Sequence, residues 1–409
     1  MVRITRALGS ISIERSITRS RSVSIRGEAM IAGAFEHPLR RIPDISIPRL
    51  HAEVAAGALA DAGLTFADVD AYFCAGDAPG FGPLSMADYM GLTNLRYVDS
   101  TDIGGSSYVA HIGHAAAAIA AGKCEVALVT LGGLPLQGPP FSAVNNPDNP
   151  EYAFENVFGT TTPAMYALAA QRHMHEYGTT AQQLAEVKVA ASLHAQHNPN
   201  ALLQKPVTVE DVLNSPYIAD PLHRLDCCVI TDGGGAVVVV SPAVAKRLER
   251  QSVTVLGHGE APKTAAGGRI DLTHTGAVWS GPKAFAEAGV THADIDYASI
   301  YDSFTITVIE SIEDLGFCEK GQGGAFVASG ALRAPDGGLP FNTDGGGLCN
   351  NHPVNRGGMT KVLEAVRQLR GEAHAAVQVP DCDIALAHGT GGSLGTRMGS
   401  ATLILGREA

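Results

Sequence analysis

The densest run of chemistry-bearing residues is Asn342-Thr343-Asp344-Gly345-Gly346-Gly347-Leu348-Cys349-Asn350-Asn351-His352-Pro353. Glycines let a backbone approach a ligand closely, and a His-Pro step before a helix start holds the His352 imidazole in a turn. An imidazole so placed can donate to a reacting oxygen or exchange a proton with it. Cys349, three residues earlier, is the one cysteine placed to line the same pocket. Tyr301-Asp302-Ser303-Phe304-Thr305 is expected at a strand end, where α/β folds put active-site residues, which makes the Tyr301 phenol a second acid/base candidate. Ala387-His388-Gly389-Thr390-Gly391-Gly392 is expected to follow another strand and adds His388 with two close-approach glycines, Gly389 and Gly391. Gly104-Gly105-Ser106-Ser107 opens a helix, where Ser106 is a cap, a nucleophile in need of a base, or the bearer of a backbone N–H for an oxyanion. Each of these residues also has a plain reading as a loop-packing histidine, a strand-end tyrosine or a helix cap. His111 and His114 stand three apart on one helix face, a spacing that suits packing better than metal binding, and no metal site is expected.

The elements that must position these groups show an internal repeat. Ala58-Leu59-Ala60-Asp61-Ala62-Gly63-Leu64-Thr65-Phe66-Ala67-Asp68-Val69-Asp70 aligns with Ala284-Phe285-Ala286-Glu287-Ala288-Gly289-Val290-Thr291-His292-Ala293-Asp294-Ile295-Asp296 at a constant offset of 226 residues. Each copy reads as an alanine-rich helix, a glycine cap and a strand, at 71–74 and 297–301. A looser pair matches a helix from Gly104 to about Ala121, then Gly122 and a strand at 124–130, with a helix over 360–369, then Gly371 and a strand at 383–387. Unbroken apolar runs such as Val126–Val129 and Ala236–Val240 read as buried parallel strands covered on both faces. The chain is thus expected to be an α/β protein of two related halves, 28–245 and 246–409, with a loop insertion at about 135–156 that could line a pocket.

Composition bounds the function. The 409 residues are 45% hydrophobic and 17% charged, enough for a large core, and 47 of them are glycine without a three-residue period. A formal net charge of −12 speaks against binding a nucleic-acid backbone. Seven scattered cysteines without a C-x-x-C pair give no disulfide framework and point to a reducing, cytoplasmic compartment. The run from Ala115 to Val129 is cut by Lys123 and Glu125, so no membrane span is expected. Residues 1–27 carry six arginines and six serines against one acid, Glu14; this basic extension reads as a transit-like segment, a flexible tail or an upstream start, with Met30 the alternative start.

Taken together, Leu222-His223-Arg224-Leu225-Asp226-Cys227-Cys228, Thr231-Asp232-Gly233-Gly234, Tyr301 to Thr305, Gly316-Phe317-Cys318-Glu319-Lys320-Gly321, the Asn342–Pro353 segment and Gln368-Leu369-Arg370-Gly371 resemble the thiolase superfamily. The resemblance runs from about Ile31 to Glu408 and is strongest to the sterol-carrier-protein-x and lipid-transfer-protein branch. It implies a thiolase fold, a duplicated five-layer αβαβα arrangement with two mixed, mostly parallel sheets, and carbon–carbon chemistry beside a coenzyme A thioester. It implies no covalently bound cofactor; the acyl-CoA is the substrate. His352 matches the histidine that serves the thioester oxygen, although Asn351 replaces the family's preceding glycine. Gly389, Gly391 and Gly392 match the C-terminal glycine loop.

The departures from the family carry as much information. The nucleophile position falls in Gly105-Ser106 and holds no cysteine. The branch motif His-Asp-Cys-Phe reads Tyr301-Asp302-Ser303-Phe304, and the Cys-x-Gly loop has lost its cysteine beside His388. A serine is a poor substitute for a thiolate without a base. Lipid-transfer-protein-like aldolases carry a tyrosine at the Tyr301 position as acid/base, and the missing cysteines favour retro-aldol cleavage, with an acyltransferase activity still open. In that reading His352, with N–H groups near Ser106 and Gly391, holds the oxyanion while Tyr301 or His388 moves the proton. The resemblance further implies a homodimer and a small zinc-containing OB-fold partner. A catalytically silent subunit that scaffolds such a partner, or binds a lipid acyl chain, is the alternative from a different class.

Overall fold

The protein is described from a computed structural model covering residues 24–138, 147–148, 150, 152–155, 158–159, 161–264, 269–353, 357–392, 394 and 398–408. The first half runs β1 (Met30–Glu36), α1 (Ile47–Ala62), β2 (Ala71–Phe73), α2 (Pro83–Met90), β3 (Tyr97–Asp99), α3 (Ser107–Ala120) and β4 (Val126–Gly133). It continues through α4 (Tyr152–Glu155), α5 (Thr162–Tyr177), α6 (Ala181–Ala195), α7 (Val209–Leu213), β5 (Tyr217–Ala219), β6 (Leu222–His223), β7 (Gly233–Val240) and α8 (Pro242–Ala245). The second half holds β8 (Val253–Lys263), α9 (Ala277–Ala288), β9 (Tyr297–Ile300), α10 (Thr305–Asp314) and α11 (Gly323–Ala328). It ends with α12 (Gly346–Cys349), α13 (Gly358–Leu369), β10 (Ile384–Gly391) and β11 (Met398–Arg407).

The strands lie in the order β3-β2-β4-β7-β1-β8-β11-β10-β9, so each half contributes a half-sheet, and β1 joins them through Met30 opposite Thr254 and Ile31 opposite Val253. Pairing is mixed. β2–β3, β2–β4 and β9–β10 are parallel, whereas β1–β7, β4–β7, β1–β8, β8–β11 and β10–β11 are antiparallel.

Side-chain alternation along these strands builds five layers. Ala71 and Phe73 of β2, Val237 and Val239 of β7, and Leu403 and Leu405 of β11 face one apolar cluster with α3 and α13, the layer between the sheets. Tyr72, Leu128 and Val238 face α1 and α2. Leu386 and Ile404 face α5, α6, α9, α10 and α11 on the far side of the second half-sheet. The thiolase fold is therefore present as helix, sheet, helix, sheet, helix.

The repeat has a physical cause. Gly63 and Gly289 end α1 and α9 in the left-handed conformation, φ 70° and 64°. In both copies the threonine that follows, Thr65 or Thr291, donates through its N–H and its hydroxyl to the carboxylate three residues on, Asp68 or Asp294. The next aspartate ties the strand to its neighbour. Asp70 accepts from Glu125 and Val126 N–H at the start of β4, and Asp296 accepts from Asp383 and Ile384 N–H at the start of β10. The shared Asp-[Val/Ile]-Asp is two capping devices in a row.

Several expectations change. Ala236–Val240, read as parallel, is antiparallel to both neighbours, because burial on both faces removes the polar alternation whatever the strand direction. Strand β10 runs to Gly391 rather than stopping at Ala387, since Gly391 still pairs with Gly399 of β11. Residues 24–27, assigned to the basic extension, join the fold: Ile25 is buried and Gly27 N–H donates to the Val255 carbonyl at 2.9 Å. Residues 1–23 and most of the 139–157 stretch, including half of the expected insertion, lie outside the described residues. No described helix is long and apolar enough to cross a membrane.

Candidate active site

Strand β9 delivers Tyr301 to the layer between the sheets, its N–H donating to the His388 carbonyl at 2.9 Å. The ring lies on Gly105, where a Cβ would stand 2.5 Å from Tyr301 Cζ and 2.2 Å from the Thr390 carbonyl oxygen, so no larger residue fits at this position, two residues before α3. Gly357 closes the other side, with an added Cβ 3.1 Å from Tyr301 Cε2 and 3.3 Å from His352 Cδ2. The phenol oxygen stands 2.9 Å from His352 Nε2, and the two rings meet edge to face with centroids 5.5 Å apart. Both side chains are buried.

The glycine-rich segment wraps a carboxylate. Asp302, next to Tyr301, accepts from Gly347 N–H at 2.8 Å, Leu348 N–H at 3.0 Å and Lys361 Nζ at 2.9 Å. A Cβ on Gly346 would lie 2.2 Å from Asp302 Oδ2, and Gly345 and Gly346 both sit at positive φ, which accounts for the run of glycines. Burial is the largest influence on Lys361 and opposes its charge, but Asp302, Asp344 and Glu364 together hold the ammonium above its ordinary value. His352 is fixed from its backbone as well. Its N–H donates to Thr231 Oγ1 at 3.0 Å, the Thr231 hydroxyl donates to Asn351 Oδ1 at 2.8 Å, and Asn351 Nδ2 donates to Glu36 Oε1 at 3.0 Å. Asn351, out of pattern for the family, thus links the histidine to a buried carboxylate.

Burial sets the charge state of the pair. It pushes His352 down to about 4, with Asp302 pulling the other way, so the imidazole is neutral at pH 7. It also drives the Tyr301 phenol well above its usual range, helped by Cys228 and Tyr166. A neutral phenol bonded to a neutral imidazole leaves no resting charge in the layer, and Tyr301 can give its proton to His352 Nε2 as it takes another from a bound hydroxyl.

The remaining predicted residues fall in different places. Ser106 is fully buried beside the pair, and its hydroxyl donates to the Ile103 carbonyl at 2.7 Å. Gly389 and Gly391 let this segment lie directly on β10: an added Cβ would be 2.9 Å from Ser106 Cα in the first case and 2.4 Å from Gly105 N in the second. The structure does not bring His388 to the pair. Because β10 continues, His388 alternates onto the other face, where Nδ1 bonds Thr402 Oγ1 at 2.9 Å and Thr402 meets Ser280 of α9. Burial lowers its imidazole to about 3. Cys349 also points away, into the cluster around α6, where its Sγ is 3.2 Å from Lys188 Nζ.

Sequence reasoning missed Asp302 and Lys361 as the anchor of the glycine segment, and Thr231 and Asn351 behind His352. It also missed Tyr166, whose hydroxyl donates to the Gly392 carbonyl at 3.0 Å and whose ring stacks on Phe304 at 4.3 Å. The Asp302-to-glycine contact had a signal, an acid beside the candidate tyrosine facing a run of unprotected N–H groups. Among the described residues no group of three or more His, Cys, Asp or Glu side chains is placed to hold a metal. His111 is buried, and His114 bonds Asp99 and Glu260.

Comparison with known proteins agrees with this architecture. The family described as Thiolase C-terminal domain-like matches residues 259–407. An acetyl-CoA acetyltransferase of Methanothermobacter thermautotrophicus is 34% identical over 90% of this chain and 97% of its own. A 17-hydroxy-3-oxo-4-pregnene-20-carboxyl-CoA lyase of Mycobacterium tuberculosis is 35% identical over 85% and 92%. The solved structure titled Ltp2-ChsH2(DUF35) aldolase superposes with a TM-score of 0.85 at 33% identity, covering 94% of this chain and 98% of that one. The chain belongs to the thiolase superfamily, on the sterol-carrier-protein-x and lipid-transfer-protein side that its motifs indicated.

Proposed function

We propose that this protein is an acyl-CoA aldolase: it breaks, or in reverse forms, the carbon–carbon bond of a CoA thioester that bears a hydroxyl on its β-carbon. One observation carries the choice over acyl transfer. The residues at the start of α3 include no cysteine, and the Ser106 hydroxyl is spent on a carbonyl, while Tyr301 and His352 form a buried proton-transfer pair beside it. The relatives named a CoA lyase and an aldolase favour the same reading.

In the cleavage direction Tyr301 takes the proton of the β-hydroxyl as its own passes to His352 Nε2. The Cα–Cβ bond breaks to give a carbonyl compound and the thioester enolate. The positive end of the α3 dipole, packed at Gly105 against the Tyr301 ring, faces the developing oxyanion. The stored proton then returns through Tyr301 to Cα, and no acyl-enzyme forms. The test is incubation with a β-hydroxyacyl-CoA while acetyl-CoA or propionyl-CoA release and the intact protein mass are followed. Product without any acyl adduct supports the aldolase; an adduct on a side chain overturns it in favour of acyl transfer.

We also infer two partners. Among the described residues β3 is an open sheet edge with Val98 exposed, whereas the opposite edge is covered by Pro340–Asn342 hydrogen bonds to Ala298. Phe81 and Leu84, 85% and 62% exposed, flank Gly82, where an added Cβ would lie 3.6 Å from Ser100 Oγ just past β3, so a second copy pairing along β3 would meet them. By analogy with the Ltp2-ChsH2(DUF35) aldolase, a small DUF35-type partner, expected to be an OB-fold protein with zinc, completes the enzyme. Light scattering of the chain alone and with such a partner tests both.

A further inference from the structure

Lys188 of α6 is 1% exposed. Its Nζ donates to the Leu348 carbonyl at 2.7 Å and stands 3.2 Å from Cys349 Sγ, and among the described residues no carboxylate lies within ion-pair distance of it. A buried amine without a countercharge calls for an explanation, since burial of an unpaired ammonium is costly. Cys349 is fully buried too, and none of the seven cysteines is in a disulfide, so an oxidised sulfur here would have an amine as its neighbour rather than a thiol. The reaction proposed above uses neither residue.

We propose that Lys188 and Cys349 form an oxidation-sensitive pair that closes into a covalent N–O–S bridge. With lysine as the amine, the step is Lys–NH2 plus Cys–SH plus O2 giving Lys–NH–O–S–Cys plus H2O. One N–H and the S–H bond break, N–O and O–S bonds form, and one oxygen atom stays in the bridge while the other leaves as water. Nitrogen and sulfur together lose four electrons, and molecular oxygen takes them. Oxygen is small and apolar, so it can reach a core site that a bulkier or charged oxidant enters slowly. The amine at contact distance is oxidised in the same four-electron step, so the oxygen on sulfur is shared with nitrogen before a second oxygen can carry the sulfur to the sulfinic acid. A one-atom linker also asks less approach of the two side chains than a direct sulfur–nitrogen bond. The bridge would tie α6 to α12, whose Gly347 and Leu348 N–H groups hold Asp302 beside Tyr301, and so would stiffen the segment that leads to His352.

The bridge does not depend on the reaction assigned above, and its test is separate. The purified full chain is exposed to oxygen-saturated buffer, then analysed by intact mass and tryptic mapping with and without dithiothreitol. The expected result is a gain of about 14 Da, one oxygen less two hydrogens on the oxidation ladder. It should be reversed by the reductant, with the Lys188 and Cys349 peptides joined and cleavage after Lys188 lost. Cys349→Ser and Lys188→Met should each abolish the gain. If either variant fails to fold, the wild-type peptide map decides alone. No mass change, or oxygen added to Cys349 with normal cleavage after Lys188, overturns the proposal.

Discussion

The Tyr301 hydroxyl and His352 Nε2 are 2.9 Å apart, although the two residues lie 51 positions apart in the chain. Each is delivered by a different device. Tyr301 rides the end of β9, held by the His388 carbonyl, and His352 is brought in by a glycine segment folded around Asp302. Asp302 follows Tyr301 directly, so the residue that positions the histidine and the residue that bonds it are chain neighbours.

Tyr301→Phe removes the phenol and nothing else. If Tyr301 carries the proton, kcat/KM for cleavage of a β-hydroxyacyl-CoA should fall about 10²- to 10⁴-fold. Stability should drop by only about 1 kcal/mol, the net worth of one hydrogen bond. Steady-state kinetics beside a urea titration checks both, and a variant retaining wild-type activity would move the proton to another residue.

Asp302→Asn leaves the Lys361 ammonium buried without its countercharge; both side chains of the pair are 1% exposed. Breaking such a pair costs about 3–5 kcal/mol, more than a surface ion pair would. The loss should appear in the urea midpoint, and adding Lys361→Met should recover most of it. Failure of the double variant to recover would show that the Gly347 and Leu348 N–H contacts, rather than the charge, dominate at Asp302.

The repeat predicts paired behaviour. Asp70 and Asp296 play the same part, each receiving two backbone N–H groups at the start of the neighbouring strand. Asp70→Ala strands the buried Val126 N–H and should destabilise by about 1–3 kcal/mol, and Asp296→Ala, whose donors are exposed or half-buried, by about 0.5–1.5 kcal/mol. Asp70 is the more buried and should sit at the upper end. Chemical denaturation of the two variants side by side checks this.

These aspartates also show what the sequence could reveal. A motif written in adjacent residues, such as Thr-x-x-Asp-x-Asp or three glycines before a His-Pro, survives in the sequence because its parts are local. The five layers followed from that repeat together with the family resemblance. Contacts between distant positions leave no such trace. Nothing local links Thr231 to Asn351, 120 residues on, or Lys361 to Asp302. His388 was misplaced for another reason: Gly389 and Gly391 read as a loop, yet they continue β10. A strand carried on by even a single residue settles which face each side chain takes.

Buried imidazoles set the acid limit. Burial lowers His111, His194, His258 and His352 to about 4 and His388 to about 3, against an ordinary 6.5. The unfolded chain therefore binds more protons than the folded one between those values, so stability rises with pH across that window. Their contribution is complete above about 6.5 and is lost as pH falls toward 4. His114, raised to about 9 by Asp99 and Glu260, has the opposite sign: its contribution is present below 6.5 and is lost as pH rises through 9. Urea titrations from pH 4 to 9 should thus show a steep acid limb and a shallower alkaline one. His388→Gln should flatten the acid limb by up to about one proton, roughly 1.4 kcal/mol per pH unit.

Ser106 separates the two chemistries of this fold most sharply. Its hydroxyl donates to the Ile103 carbonyl, and a Cβ on Gly399 would come within 2.8 Å of its oxygen, so the side chain is packed as well as bonded. Among the described residues no histidine or carboxylate bonds it to draw off its proton, and an unactivated serine does not attack a thioester at a useful rate. Ser106→Ala should therefore keep cleavage within about fivefold of wild type, the scale of one lost neutral hydrogen bond. The wild-type protein incubated with acyl-CoA should show no added acyl mass on the peptide containing Ser106. A loss of about 10²-fold or more in Ser106→Ala, together with acyl label on that peptide, would mean that the hydroxyl leaves the Ile103 carbonyl when substrate binds. In that event the Tyr301–His352 pair would be serving acyl transfer rather than aldol cleavage.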